Sequence, residues 1–349
     1  MPAFYPLQGY YFFTSRYTPL LLTALFALLT IAFAPAPALK KIELSGKAQG
    51  TTYHITYYAA DSVVKKQEVD SILQVIDQSL SLYRPGSLIN RFNDTEKRVK
   101  PDEHLYKVVK KAIQVHKKTS GLFDITVFPL TAAWGFGPVK QGRLPDTATV
   151  QQLLPCVGTE LISLKRAELK KLKPCVKLDA NGIAQGYSVD VLAGFLQRRN
   201  VHHYIAELGG EIRVKGRKPD GKKMSVGIEA PGDDMFFPVI QKIIYPDKGA
   251  ITTSGNYRNY YESEGRKITH IIDPVSGFPV QSEMVSVTVF AKDAITADAY
   301  DNALMLMGME KAIQFANKER DIAVYIIYRR ADGSVADTMS KRFGRLLQP

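Results

Sequence analysis

The sequence predicts an α+β fold built from antiparallel strands with flanking helices, and three observations support this class. Segments with a strand pattern outnumber segments with a helix pattern, and the two kinds do not alternate regularly, as they would in a doubly wound parallel sheet. The 349 residues contain no internal repeat and no low-complexity tract. Their composition, 45% hydrophobic and 23% charged, suits a chain that buries a large core. We therefore expect one compact unit.

The first 38 residues are predicted to be a signal peptide or an N-terminal membrane anchor, with the folded unit at 39–349. Arg16 is the only charged side chain before Lys40, and residues 19–34 are an unbroken run of apolar and small residues with threonine. That run is short for a transmembrane helix, which needs about 20 residues, but it suits the apolar part of a signal peptide. Residues 36–38 fit a cleavage site, and the absence of cysteine there argues against a lipoprotein. We expect an exported protein, either periplasmic or attached to the outer side of the inner membrane.

Charge and cysteine content exclude some classes of function. The net charge of +12 is spread along the chain, which predicts a solvated basic surface that would also attract an anionic ligand or membrane. No nucleic-acid-binding motif has its expected spacing. Cys156 and Cys175 are compatible with a disulfide or with two separate buried thiols, and no CxxC motif indicates redox chemistry or zinc.

The first half of the chain is predicted to begin with strands and continue with helices. Alternating polar and apolar residues at 41–59 predict a hairpin that turns near Gly46 or Gly50. Apolar residues at helical spacing predict helices at 66–82 and 103–119. The glycine-rich stretch 120–147 is predicted to be a long ordered loop rather than a regular element.

The second half is predicted to mix short strands with four helices. The helices are expected at 146–155, 186–201, 296–308 and 309–319. Strands are expected as two short segments within 160–179 and at 202–207, 211–215, 223–229, 285–291 and 321–330. The tail from 337 onward has no strong pattern.

The segment LDANGIAQGYSVD at 178–190 predicts a ligand-binding turn between a strand and a helix. Gly182 and Gly186 allow close approach of the backbone to a ligand, and a helix N-terminus favours phosphate. The spacing is not the GxGxxG fingerprint of dinucleotide-binding folds. An ordinary strand–turn–helix capped by Asp179 is the alternative.

A histidine and an aspartate at 270–273 are candidates for acid–base chemistry. His270 stands between two strand-like runs, three residues before Asp273. On a regular strand the two side chains would face opposite sides, so their pairing needs the turn that Pro274 and Gly277 indicate. Such a histidine is suited to act as a general base near neutral pH. Nearby Arg258 is a candidate phosphate clamp, and a structural histidine with a surface arginine is the alternative.

The segment ADAYDN at 297–302 is a candidate metal site at the start of a helix. Asp298 and Asn302 are four residues apart and therefore share one helix face. Both offer oxygen ligands, which suit Mg²⁺. A chance pairing of two polar side chains is the alternative, and Asp301 is expected to point elsewhere and to be solvated.

The order and spacing of these segments resemble the ApbE family of FAD:protein FMN transferases. The resemblance covers nearly all of the chain after the leader. Its blocks are GTTY (50–53), SLYRPGSLINRFN (81–93), SGLFDITVFPLTAAWGFG (120–137), LDANGIAQGYSVD (178–190), ELGGEIRVKG (207–216), TSGNYRNYY (253–261), HIIDPVSGFPV (270–280) and ADAYDN (297–302). The resemblance implies a single ApbE-like, T-fold-like unit with FAD as substrate and Mg²⁺ as cofactor.

The resemblance also implies roles for individual residues. The general base that activates an acceptor hydroxyl would be His270. The residues implied to contact FAD are Tyr83, Phe123, Asp124, Asp179, Gln185, Arg258 and Asp273, and those implied to hold Mg²⁺ are Gly182, through its carbonyl, Asp298 and Asn302. The implied partners are flavoproteins of extracytoplasmic redox complexes, with no nucleic acid, and with possible membrane association through the N-terminus.

Three positions in these blocks depart from the family's usual residues. Gln49 stands where methionine is common, Gln185 where a charged residue is common, and Asn302 where threonine is common. Asparagine and threonine both offer an oxygen, so the expected metal site is retained. The remaining alternatives are an Mg²⁺-dependent FAD pyrophosphatase, which would use water as acceptor, and an FAD-binding protein without turnover.

Overall fold

The computed structural model describes residues 38–95, 97–139, 143–230, 239–256, 260–263 and 266–349. The chain divides into residues 1–38 and a compact unit at 39–349. All but the last residue of the predicted leader therefore lies outside the described residues, and its role stays a prediction. Across the described ranges, every helix is too short or too polar to cross a bilayer.

The unit contains strands and helices without regular alternation. The strands are β1 (Lys40–Ala48), β2 (Thr51–Ala59), β3 (Arg98–Val99), β4 (Ile162–Lys165), β5 (Glu168–Lys171), β6 (Tyr204–Leu208), β7 (Glu211–Lys215), β8 (Val226–Glu229), β9 (Ile240–Ile244), β10 (Lys248–Gly255), β11 (Tyr260–Ser263), β12 (Arg266–Thr269), β13 (Met284–Ala291), β14 (Ile322–Arg329) and β15 (Val335–Met339). The helices are α1 (Lys66–Leu80), α2 (Leu88–Asp94), α3 (Glu103–Lys118), α4 (Phe128–Ala133), α5 (Thr147–Leu153), α6 (Ala184–Arg198), α7 (Ala294–Met307) and α8 (Met309–Lys318). The predicted α+β class is confirmed.

One antiparallel sheet of eight strands organises the unit, in the order β1-β2-β6-β7-β10-β13-β14-β15. Its first hairpin turns at Gln49 and Gly50, which have φ angles of 53° and 75°. Two positive φ angles are typical of the tight turns that match the twist of a hairpin. Of the two glycines expected to mark this turn, Gly50 is therefore the correct one.

The two faces of this sheet are covered differently. One face packs against the helices, and its core includes Leu73, Val189, Leu304 and other fully buried side chains. The other face is covered by the separate hairpin of β8 and β9 and by the C-terminal 3₁₀ turn around Phe343. Burial on both faces gives the sheet two hydrophobic cores.

A third apolar cluster lies under the segment that follows β10. Leu130 and Trp134 pack there with Val150, Ile268 and Ile272. The predicted loop 120–147 therefore contains a regular element, because α4 forms with Pro129 in its first turn, where the missing N–H of proline costs no helical hydrogen bond. The expectation of a wholly irregular loop was wrong at this point.

Cys156 and Cys175 form a disulfide. It joins the 3₁₀ turn after α5 to the segment that leads into Asp179. The cross-link restricts the unfolded chain and thereby favours the folded state. Of the two states left open by the sequence, the structure contains the disulfide.

The strand directions define two opposite ends of the main sheet. The turns at 49–50 and 209–210 and the end of β10 at Gly255 lie at one end, which we call the site edge. The other end, the far edge, holds the start of β1 at Lys40 and the paired Lys215 and Lys248. The glycine-rich turns and the start of α6 lie at the site edge.

Candidate active site

Helices α6 and α7 meet closely at the site edge. The backbone N–H of Gly186, in the first turn of α6, donates to Asp298 Oδ2 at 2.7 Å. A Cβ at position 186 would lie 2.4 Å from the carbonyl oxygen of Ala294, so only glycine permits this approach. Asp298 thus accepts from one of the N–H groups that have no helical partner at a helix N-terminus. The close approach of the two helices fixes Asp298 beside that terminus.

The other predicted metal-binding groups lie next to Asp298. A Cβ at Gly182 would be 2.7 Å from Asn302 Nδ2, so the backbone of this turn rests on the asparagine. The Ser254 hydroxyl lies 2.9 Å from Asp301 Oδ1 and 3.0 Å from Asn302 Oδ1. The structure therefore brings together Gly182, Asp298 and Asn302 as the sequence predicted, and Ser254 at the end of β10 supports them.

Asp301 is buried, contrary to the expectation that it is solvated. It is 1% exposed, because α7 lies against β10 and turns this face of the helix toward Ser254. Burial, and next the charge of Asp298, raise the pKa of Asp301 well above its ordinary value. The expectation failed because the sequence did not show that both faces of α7 are covered.

Glu211 adds a third carboxylate that the sequence reading did not single out. It is 9% exposed, and its Oε2 atom has no hydrogen-bond partner among the described residues. Burial, and next the charges of Asp298 and Asp301, raise its pKa well above the ordinary value. Burial likewise raises the pKa of Asp298 to about 7. Glu211, Asp298 and Asp301 form the acidic cluster of the site.

The acidic cluster suits a hard cation. In the part of the chain that the structure describes, no ion pair involves its three carboxylates, and neighbouring Arg213 is paired with Asp190 at 2.6 Å. Buried carboxylates without a counter-charge are unfavourable, and oxygen-rich surroundings favour Mg²⁺ or Ca²⁺. The three carboxylates do not converge closely enough to act as joint ligands, so Glu211 and Asp301 would favour a cation at Asp298 through their charge.

One wall of the site is built around Asp179. This residue is 9% exposed, and its carboxylate accepts from Asn181 N–H at 2.9 Å and from the Thr131 hydroxyl at 2.8 Å. Burial raises its pKa. Partial burial, and next the charge of Asp179, raise the pKa of Tyr83. Tyr83 is 62% exposed and therefore open to a ligand, and Phe123 packs near Gly182.

Two glutamines complete the site edge. A Cβ at Gly209 would lie 2.8 Å from Gln185 Nε2 and 2.9 Å from Thr51 Cγ2, so Gln185 spans the two glycine turns. Gln49 donates from Nε2 to the Ser188 hydroxyl at 2.9 Å. Gln185 is thus held at the glycine turn of 209–210 and Gln49 by Ser188 on α6.

Asp124 has an internal structural role. Its carboxylate accepts hydrogen bonds from the backbone and side chain of both Thr126 and Thr159, and His116 Nδ1 lies 3.2 Å from it. Among the described residues, His116, Asp124 and Glu160 are the group whose ligand atoms lie close enough to hold a metal ion. The lone pairs of Asp124 are already used by these donors. We therefore interpret the three residues as a structural cluster that holds the loop at Phe123.

His270 lies on the segment that leaves the site edge after β10. Its half-buried ring meets Phe136 edge-on at 6.3 Å between centroids. The predicted turn forms, with Gly277 N–H donating to the Asp273 carbonyl oxygen at 2.8 Å. The Asp273 carboxylate closes the same turn by accepting from Val275 N–H at 2.9 Å. Arg258 lies outside the described residues, so its predicted role stays a prediction.

Trp134 ties the segment of His270 to the wall at Asp179. Its ring N–H donates to the Gly277 carbonyl oxygen at 2.8 Å, and Thr131 on the same helix donates to Asp179. A Cβ at Gly277 would lie 2.4 Å from Val150 Cγ1, which makes the position specific for glycine. Helix α4 therefore positions the histidine segment relative to the wall at Asp179.

The fold and site together define the class of the protein: an α+β protein in which a helix N-terminus meets a cluster of buried carboxylates. The family model described as "ApbE family" matches residues 49–326. The chain belongs to the ApbE family.

Curated relatives match nearly the whole chain. An FAD:protein FMN transferase of Vibrio cholerae is 38% identical over 319 residues, which cover 89% of this chain and 94% of the relative. The protein of the same name from Haemophilus influenzae is 35% identical, covering 86% of this chain and 90% of the relative. The segments that build the site lie within these matches.

Solved structures agree with the fold. The flavin transferase ApbE from Vibrio cholerae superposes with a TM-score of 0.80 at 34% identity, covering 88% of this chain and 100% of that one. The apo form of the Pseudomonas stutzeri flavinyl transferase ApbE also has a TM-score of 0.80 at 34% identity, covering 88% and 97%.

Proposed function

We propose that the protein is an FAD:protein FMN transferase, which moves the FMN part of FAD to a threonine or serine hydroxyl of an acceptor flavoprotein and releases AMP. The observation that supports this most is the meeting of Gly182, Asp298 and Asn302 at the start of α6, in a chain that matches relatives named for this activity over most of its length.

The proposed chemistry is a phosphoryl transfer. The acceptor hydroxyl oxygen bonds to the FMN phosphorus, the bond from that phosphorus to the bridging oxygen breaks, and AMP leaves. His270 takes the hydroxyl proton as general base. The rate enhancement comes mainly from positioning and from stabilisation of charge.

The proposed cation is Mg²⁺, held by the Gly182 carbonyl, Asp298 and Asn302. When bound, it would neutralise negative charge on the pyrophosphate. Glu211 and Asp301 would favour its binding through their charge, since both are buried without a cationic partner among the described residues. The N-terminus of α6 would add the positive end of a helix dipole.

The residues proposed to contact FAD or to position those that do are Tyr83, Phe123, Asp124, Asp179, Gln185, Arg258 and Asp273. Tyr83 has an exposed ring next to buried Asp179, which suits stacking of an aromatic ligand over the carboxylate wall. Asp124 would act by holding the backbone at Phe123, because its oxygens accept hydrogen bonds within the fold.

We also propose that the protein is exported and acts on extracytoplasmic flavoproteins. The apolar leader of residues 19–34 supports export. The Cys156–Cys175 disulfide supports an oxidising compartment.

The test of the activity uses the purified chain with FAD, Mg²⁺ and an acceptor flavoprotein. We expect a fluorescent acceptor band on a denaturing gel and an equal amount of AMP. AMP without a labelled band, over several acceptors, would replace the proposal with an FAD pyrophosphatase. Neither product would leave an FAD-binding protein.

The cation site has its own test. Asp298→Asn should weaken Mn²⁺ binding, measured by electron paramagnetic resonance, at least about tenfold, because removing a ligand charge from a buried oxygen site costs more than 1.4 kcal/mol. Asp321→Asn, at an exposed position, is the control and should bind normally. Equal Mn²⁺ affinity in the two variants would contradict the assignment of Asp298.

A further inference from the structure

The hairpin of β8 and β9 carries an exposed apolar surface on the side of the molecule away from the helices. Its inner side chains, including Val226, Ile228 and Ile244, are buried against the main sheet. Its outer face presents Ile240 and Ile243, which are 49% and 46% exposed. We call the outer residues Gly227, Ile240 and Ile243 the hairpin patch.

The hairpin patch is continuous. Gly227 pairs with Ile243 across the hairpin, and the Ile240 side chain lies over it, since a Cβ at position 227 would be 2.9 Å from Ile240 Cδ1. The two isoleucine side chains therefore lie on one surface, on either side of Gly227, rather than as isolated exposed residues, which would need no explanation.

The charged residue between these side chains is turned inward. Lys242 pairs with Ile228 in the ladder, and its ammonium group lies 3.5 Å from Asp337 and 5.9 Å from the centre of the Tyr325 ring. Lys242 thus does not shield the two isoleucines, although a lysine commonly protects an exposed strand, and Glu229, which pairs with Ile240, borders the patch.

The root of the hairpin is basic. The segment 217–223 that leads into β8 has four basic residues, Arg217, Lys218, Lys222 and Lys223, against one acidic residue, Asp220. Arg217 is paired with Asp247 at 2.9 Å and Lys222 with Asp220 at 3.4 Å. Lys222 has a side chain that is 79% exposed. Exposed Arg345 lies at the same root, because the neighbouring Leu346 carbonyl accepts from Tyr245 N–H just after β9.

The start of the folded unit lies at this end of the molecule. By the pairings of β1, β2, β6, β7 and β10, Lys40 is on the far edge together with Lys215 and Lys248. The apolar run 19–34 precedes Lys40 in the chain. Any membrane-bound leader would therefore connect at the far edge, where the basic segment leaves β7.

We propose that the hairpin patch and the basic root form a contact surface for a membrane with anionic headgroups. Aliphatic side chains would enter the interface while lysines and arginines meet the headgroups, the combination that peripheral membrane segments use. A protein partner fits less well, because a stable protein interface needs about 20–30 residues a side, and the patch presents two large side chains. The active site at the opposite edge would face away from the bilayer.

The test places an environment-sensitive fluorophore on the patch of the full chain. Both native cysteines are in the disulfide, so Ile243→Cys supplies the one free thiol for labelling. Val75→Cys is the matched control, since Val75 is 50% exposed on α1, on the helical side. With phosphatidylglycerol-containing vesicles, we expect a blue shift and at least about a twofold intensity gain at 243, and neither at 75.

A second measurement uses unlabelled protein. Ile240→Ser with Ile243→Ser, and separately Lys222→Gln with Lys223→Gln, should each reduce sedimentation with anionic vesicles several-fold relative to the parent chain. Circular dichroism checks that each variant is folded. Equal responses at 243 and 75, or unchanged sedimentation of both double variants, would overturn the proposal. A lipid-independent shift at 243 that grows with protein concentration would replace the membrane with a second copy of the chain.

Discussion

His270 is the residue whose proposed role is most open to a decisive test. It lies on the segment positioned by Trp134 and Gly277, away from the contacts that build the wall at Asp179. We therefore expect His270→Ala to lower FMN transfer at least about a hundredfold, as loss of a general base does, while FAD binding changes less than about threefold. FAD binding is measured by flavin fluorescence.

The matched control for His270 is His54→Ala, at an exposed position on β2. This variant should transfer FMN at the parent rate. A His270→Ala protein that retains transfer, or that loses FAD binding with its fold intact, would contradict the role of general base.

His116 makes stability depend on pH. Its hydrogen bond to Asp124 raises the pKa of the imidazole above 6.5. A raised folded-state pKa gives stability that is fully present below pH 6.5 and is lost as the pH rises through the folded value. We expect His116→Gln to lower the free energy of unfolding more at pH 5.5 than at pH 9, in urea titrations.

The control for His116 is His202→Gln, at an exposed position, which should show no such pH difference. An equal loss of stability by His116→Gln at both pH values would show that the imidazole acts through packing and not through its charge.

At the scale of elements, the close contact of α6 with α7 positions Asp298. The glycine that allows this contact faces backbone atoms, because a Cβ at 186 would meet the Ala294 carbonyl oxygen at 2.4 Å and Asp298 Cβ at 2.6 Å. Backbone cannot give way as a flexible side chain does, so the helices would have to move apart.

We expect Gly186→Ala to lower the free energy of unfolding by about 1–3 kcal/mol, the range for overpacking, and to weaken cation binding. On the same helix, a Cβ at Gly194 meets only the end of the Arg198 side chain at 3.5 Å. Gly194→Ala should therefore be neutral or stabilising by up to about 1 kcal/mol. Thermal and urea unfolding compare the two, and equal effects would contradict the packing argument.

The predicted elements were most reliable where the pattern was long. Helices α1 and α3 and the first hairpin lie close to their predicted ranges, because each has a regular apolar face. Strand β10 was not predicted, since KGAITTSG is buried on both sides over much of its length and lacks alternation. Helix α2 was missed because its seven residues are too few to show a period.

At the scale of the whole molecule, two segments leave the main sheet from opposite ends. The segment with β11, β12 and His270 leaves the site edge after β10, and the hairpin of β8 and β9 leaves the far edge after β7. Strand β10, with eight residues, separates the edges by about 25 Å at roughly 3.3 Å per residue. Effects of substitutions that far apart are expected to be independent.

We therefore expect Ile243→Ser to leave FMN transfer to a soluble acceptor within about twofold of the parent rate. His270→Ala should likewise leave vesicle binding within about twofold. Parallel transfer and sedimentation assays on the same preparations test both statements. A loss of transfer in folded Ile243→Ser would show that the two edges are coupled.

The sequence by itself determined the α+β class, the family resemblance and the chemistry of the site residues, because residue type and spacing are properties of the chain. Gly182, Asp298 and Asn302 were predicted in this way as metal ligands, and the structure places them close together. The tertiary structure decided which side chains are buried together. Glu211 and Asp301 could not be assigned to the site from the sequence, since their burial depends on a sheet and a helix that lie 90 residues apart in the chain. Whether a carboxylate is buried, and whether a positive charge lies near it, depends on neighbours that only the packed fold brings together.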